Sequence, residues 1–159
     1  MLILCGVAPG QVESGRRADV RVQEKRVKPI TKLEMYEIDD PAEPYRVVMW
    51  CLPPGPPEDP RIGERFPEGS IEVPKSFGAI WFDVSTWQGG FVAQATFAAD
   101  ADAVRCDTIT VNEAHRMKGV ATQLYETASG VFQGPVIPSD NQTPDAVAFW
   151  GGRTQILRP

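Results

Sequence analysis

The sequence predicts an α+β domain in which a mixed, mostly antiparallel sheet is flanked by helices. Three features lead to that class. The runs GAIWFDV, GGFVAQATF and VRCDTITV are rich in β-branched and aromatic residues and are joined by the short links STWQGG and FAADADA, the pattern of an antiparallel meander. The apolar period then changes from two to 3.6 over residues 119 to 129, where Val120, Ala121, Leu124, Tyr125 and Ala128 share one face. Last, a short apolar strand, PVIPS, separates that helix from a second helix start, TPDAVAFW. With 159 residues, 42% hydrophobic and 23% charged, the chain is long enough for one real core and short for two.

Residues 1 to 32 mix glycine, arginine and the valine alternation ADVRVQ, and read either as a basic arm or as an edge strand ahead of the body at 33 to 159. Tyr45 to Leu52 is apolar on both alternating faces, as in a strand covered on both sides. Nine of the fifteen prolines fall between Pro41 and Pro74, so residues 53 to 76 are expected to be an irregular surface loop without helix. Such a loop suits a lid or binding loop, or a tolerated insertion. In the strand pair that follows, Phe91, Ala93, Ala95 and Phe97 alternate with Val92, Gln94 and Thr96. Gly130 supplies the stop expected for the first helix. Pro135 and Pro138 bracket a strand short of partners on at least one side, and Thr143-Pro144 opens the second helix as N-cap and first helical residue.

Composition excludes several classes. The apolar opening MLILC is too short for a signal peptide or a membrane span, so a soluble, intracellular, cytoplasmic chain is expected. Cys5, Cys51 and Cys106 are odd in number and widely spaced, which suits buried free thiols. With one histidine, His115, no metal site is expected. Residues 1 to 32 carry seven Lys/Arg against three Asp/Glu, and the remainder nine against eighteen. An acidic body disfavours a broad nucleic-acid footprint and favours cationic substrates or partners.

The chemistry is concentrated at Val104 to Trp150. A strand runs into a basic glycine turn and then a helix start, where unpaired N–H groups and the helix dipole suit an anion such as a phosphorylated cofactor. The turn reads Arg116, Met117, Lys118, Gly119, Val120, Ala121. Gly119 lets the backbone approach a ligand, Ala121 is too small to block it, and Arg116, Lys118 and His115 add positive charge. Neither the P-loop nor the three-glycine dinucleotide fingerprint fits, because Lys118 precedes the glycine and only one glycine is present.

This RxxGxA turn between strand and helix resembles the acyl-CoA loop, Q/RxxGxG/A, of the GNAT superfamily of N-acetyltransferases, and the likeness extends over about residues 78 to 150. The second helix adds to it: Thr143, Ala146, Phe149 and Trp150 stand where that superfamily has Asn, a small residue and an aromatic pair ending in Tyr. The chain departs from the pattern at Thr143 and Trp150. It also departs in the proline-rich segment, which stands where helices are usual, and in the nine residues after Trp150, which leave room for one closing strand at Thr154 to Leu157.

The resemblance implies a GNAT-like fold with splayed strands. Acetyl-CoA, as co-substrate, would lie in a cleft where Val104 to Val111 parts from Val136 to Ile137. Arg116, Met117, Lys118, Gly119, Val120, Ala121 and Thr122 would hold its diphosphate, with Thr143, Phe149 and Trp150 on the second helix. Backbone groups at Ile109 and Val111 would hold the pantetheine and polarise the thioester carbonyl. A primary amine of a small molecule or peptide then attacks directly. Removing the proton from an amine of pKa ~10.4 costs about 4 to 5 kcal/mol at neutral pH, so a base is expected. Arg105 stands at the glutamate position of the histone-modifying branch, which makes Asp107 the first candidate, with Asp83 and Glu113 behind it. Trp150 has no useful acidity for protonating the leaving thiolate, which leaves Ser139, Tyr125 or water.

Two other classes stay open. A degenerate relative would bind CoA or a protein partner without turnover. A nucleic-acid-directed acyltransferase would rest on the basic arm alone. No membrane partner is expected, and a homodimer is left open.

Overall fold

The structure, a computed structural model, describes residues 27–55, 64–66 and 76–158. ADVRVQ, most of the basic arm, Cys5 and most of the proline-rich segment lie outside the described residues. Six strands form one open sheet in sequence order: β1 (Glu34–Ile38), β2 (Arg46–Leu52), β3 (Ala79–Ser85), β4 (Phe91–Ala99), β5 (Val104–Val111) and β6 (Val136–Ile137). Neighbours from β1 to β5 are antiparallel. β6 is parallel to β5 because a helix, α1 (Val120–Phe132), carries the chain back across the sheet between them. A second helix, α2 (Pro144–Trp150), follows. The architecture is the α+β class expected.

The core lies between the sheet and α1. Val120, Leu124, Tyr125, Ala128 and Phe132 of the helix meet Ile80, Phe82, Val84, Ala93, Ala95, Phe97, Val104 and Cys106 of the sheet, all buried. Fully burying one such Phe, Leu or Val contributes roughly 1.5–3 kcal/mol, and among the described residues this face holds the larger of the two buried clusters. Phe82, Phe97 and Tyr125 continue as edge-to-face ring pairs at 5.8 and 5.1 Å. The opposite face carries a smaller cluster of Leu52, Phe66, Ala79 and Ala98, with Trp50 and Trp81 packed against it.

Several expectations need correction. α1 does not stop at Gly130 but continues to Phe132, and Gln133, with φ of 51°, caps it. At Gly130 a Cβ would sit 2.7 Å from Arg158 Cδ, so a larger residue there would displace that exposed side chain. The helix runs on because the fully buried Phe132 completes its apolar face. β1 carries no signal of its own in the sequence, since Glu34 to Ile38 is mostly exposed and shows no apolar alternation. Glu64 and Arg65 are helical within the segment expected to hold no helix, in the proline-free stretch between Pro60 and Pro67. The closing strand is reduced to a single bridge, Ile156 with Val136.

Cys51 and Cys106 are buried free thiols. Among the described residues no helix is long and apolar enough to cross a membrane.

Candidate functional site

The site is built on an irregularity in β5. Phe97 of β4 faces Cys106, but Thr96 faces Thr108, so Asp107 is an extra residue, a β-bulge. Inserting one residue re-aims the backbone. Before it, the Val104 N–H bonds the Pro135 carbonyl on the β6 side; after it, the Asn112 N–H bonds Val92 of β4. Two-residue alternation from Asn112 turns the N–H and C=O groups of Ile109 and Val111 away from β4, toward the side on which β6 pairs only with Val104 and Arg105. Ser139, just past β6, donates its hydroxyl to the Cys106 carbonyl, and the ladder between β5 and β6 ends at Arg105 and Ile137.

β5 leads through a 3-10 turn at Glu113–His115, capped by the Asn112 side chain, into the basic loop. Met117 and Gly119 are both left-handed, with φ of 60° and 80°. Left-handed residues on either side of Lys118 are the backbone pattern from which anion-binding concavities are made. Gly119 is the N-cap of α1 and gives its first turn no side-chain cap. A Cβ on Gly119 would meet nothing within 4 Å, and Met117 is fully exposed. Lys118 is exposed, Ala121 and Thr122 are half-buried, and Val120 is buried in the core. Arg116 turns back on its own chain: Nε donates to the Val111 carbonyl at 3.1 Å, and the guanidinium lies 3.8 Å from Asp145 of α2. Tyr45 and His115 share a hydrogen bond of 2.9 Å, which ties the loop to β2.

The remaining expected residues divide between loop, helix and core. Thr143 caps α2, its hydroxyl accepting from the Ala146 N–H at 3.3 Å. Phe149 stacks on Tyr125 with ring centroids 4.8 Å apart, and Trp150 meets Tyr125 edge-on at 5.3 Å. Tyr125 is therefore a core residue, 3% exposed. Burial pushes its phenol well above the ordinary range, and its hydroxyl neighbours Cys106 and Trp150. Burial likewise pushes the Cys106 thiol up to about 12, against a hydrogen bond from Tyr125 that lowers it. Among the candidate bases, Asp107 is half-buried and lies 3.4 Å from the Thr96 hydroxyl, which also bonds the Thr108 hydroxyl at 2.9 Å. Glu113 is exposed in the 3-10 turn, and Arg105 pairs with Asp100 at 2.8 Å.

Strand register assembles a second group that reading the segments singly does not reveal. Trp50, Trp81, Thr96 and Thr108 stand side by side on β2 to β5, and Asp83 is flanked by Val48 and Gln94 in the next row. Asp83 Oδ1 accepts from Trp81 Nε1 at 3.2 Å and from Gln94 Nε2 at 3.1 Å, while Oδ2 pairs with Arg65. Asp107 neighbours this group through Thr96. The signal was present in the alternation of β4, where Gln94 and Thr96 interrupt one face, but only pairing shows what they meet.

No family model matches the chain, and no curated protein matches it. Among solved structures, a putative acetyltransferase from Exiguobacterium sp. 255-15 is similar over 79% of this chain and 91% of that one, at 15% sequence identity and a TM-score of 0.39. Likeness at that level does not assign the chain to a family.

Proposed function

We propose that the chain is an acyl-CoA-dependent N-acyltransferase of GNAT type, transferring acetyl from acetyl-CoA to a primary amine by direct attack in a ternary complex. One observation carries the reading: the bulged edge of β5, beyond the last pair with β6, leads through one 3-10 turn and the basic loop into a helix start at Gly119 with no side-chain cap. Acetyl-CoA would supply an activated acyl thioester. The N–H groups of residues 117 to 121 are suited to its diphosphate, with Lys118 adding charge. The edge groups of Ile109 are suited to the pantetheine and to the carbonyl on which negative charge develops, as in an oxyanion hole. Those of Val111 share that edge, with its carbonyl already held by Arg116. Asp107, on the face away from α1, is the base assigned to the attacking amine, directly or through water. A cytoplasmic location fits this reading, since reduced thiols such as Cys51 and Cys106 persist there.

A second reading, binding of CoA without turnover, is favoured by the groups expected to protonate the thiolate. Trp150 is no acid, Tyr125 is buried with a raised pKa, and the Ser139 hydroxyl is committed to Cys106. The experiment has two arms. A thermal-shift titration with acetyl-CoA reports binding, and release of free CoA thiol in the presence of candidate amines reports turnover. A shift with amine-dependent thiol release supports the transferase, and a shift without it supports the second reading. No shift at millimolar acetyl-CoA rejects both.

A further inference from the structure

The face of the sheet opposite α1 carries a positively charged side chain seated where a ligand would be recognised. Trp50 and Trp81 are directly paired on β2 and β3, and Phe66 packs on both, at ring-centroid distances of 5.8 and 4.8 Å. The Arg65 guanidinium lies 5.6 Å from the Trp50 ring and 5.4 Å from the Phe66 ring, within cation–π range of both. Its charge is met by Asp83 Oδ2. Two donors, Trp81 Nε1 and Gln94 Nε2, hold the other carboxylate oxygen, so Asp83 is oriented by its surroundings and not by Arg65 alone.

We infer that Trp50, Phe66 and Asp83 form a recognition site for a second positive charge on the acceptor, an ammonium or guanidinium group, and that Arg65 occupies it as an internal stand-in. The word acceptor rests on the acyltransferase reading; the cation site itself does not. Asp83 lies two strands from Asp107 and between two and three residues along from it, about 13 Å at ordinary strand dimensions. A polyamine, or a diamine with a comparably long spacer, would therefore reach the reacting end of β5 while its far charge took the place of Arg65. The Arg65–Asp83 pair suits exchange, because both side chains remain partly exposed, at 47% and 31%, and pairs open to water hold weakly. The net negative charge of residues 33 to 159 draws such ligands to the surface.

The test is calorimetric titration of the full chain with spermidine, for the ammonium arm, and agmatine, for the guanidinium arm, without coenzyme A. If Arg65 fills the site about nine-tenths of the time, Arg65→Ala tightens binding about tenfold. Asp83→Asn, added to Arg65→Ala, removes that gain. The ligand with the larger gain identifies the preferred cation. Equal affinity of wild type and Arg65→Ala for both ligands overturns the inference, as does a gain that survives Asp83→Asn. Since no cofactor is present, a negative acetyl-CoA thermal shift leaves this result readable, and a negative result here leaves the cofactor site standing.

Discussion

Gly119 allows the cofactor seat to be tested apart from the fold. Its φ of 80° is left-handed, and a Cβ there has nothing within 4 Å to strike. A Cβ at this position therefore costs backbone strain, about 1–2 kcal/mol, without itself striking a neighbour. In a domain of this size each kcal/mol moves the melting temperature by about 2–4 °C, so Gly119→Ala and Gly119→Trp should both melt about 2–8 °C below wild type. The two variants differ only in what they place over the first turn of α1. Acetyl-CoA at 100 times its dissociation constant should stabilise wild type by about 2.7 kcal/mol, a rise of about 5–11 °C. Gly119→Ala should keep part of that rise, because a methyl group leaves the amides within reach, whereas the indole of Gly119→Trp occupies the diphosphate position and should abolish it. Differential scanning fluorimetry with and without acetyl-CoA measures all six melting points. A full cofactor shift in Gly119→Trp would show that the diphosphate does not sit at the start of α1.

Three further outcomes test the framework around the site. Phe132→Ala should cost about 3–5 kcal/mol in urea unfolding, because Phe132 is fully buried at the end of α1; a loss below about 1 kcal/mol would mean that the last turn does not carry the core. Thr143→Ala removes the cap of α2 and should cost about 0.5–2 kcal/mol in the same assay, with Thr143→Ser close to wild type. Cys106, with its thiol pushed up to about 12, should resist iodoacetamide at pH 9.5 until the protein unfolds. The sign of its linkage follows: the unfolded thiol loses its proton near 9.0 while the folded one keeps it, so its contribution to stability is complete below pH 9 and is lost as pH rises toward about 12. Rapid alkylation of Cys106 in the folded state, read by peptide mass, would contradict the burial.

Much of the body was legible because local chemistry and tertiary context agree there. β3, β4 and β5 show in their β-branched and aromatic runs, and α2 in Thr143-Pro144, since these segments are stabilised by what lies within them. β1 is different: its residues are exposed and its strand form comes from pairing with β2, which no single segment encodes. The end of α1 is illegible for the same reason: glycine stops a helix by propensity, yet the burial of Phe132 carries the helix past Gly130. At the site, the basic turn and Gly119 are local and visible. The direction of Arg116 is not, because its choice of the Val111 carbonyl depends on where β5 ends in space.

The bulge at Asp107 joins fold to site, and its trace lies in the apolar pattern of β5. Val104 and Cys106 occupy even positions, while Ile109 and Val111 occupy odd ones, yet all four pack on the same core under α1. In an unbroken strand that is impossible, because a one-residue step sends a side chain to the opposite face. An extra residue between Cys106 and Thr108 resolves the conflict: it returns Ile109 and Val111 to the core and leaves Thr108 beside Thr96 on the other face. The same step turns the backbone groups of Ile109 and Val111 toward the edge where β6 has ended. Without the bulge the groups of Thr108 and Thr110 would face that edge instead, so burial of two apolar side chains decides which residues present their N–H and C=O groups there. Packing of Ile109 and Val111 on the core and presentation of their backbone groups at that edge therefore have one cause, so a change that removed the bulge would have to give up both.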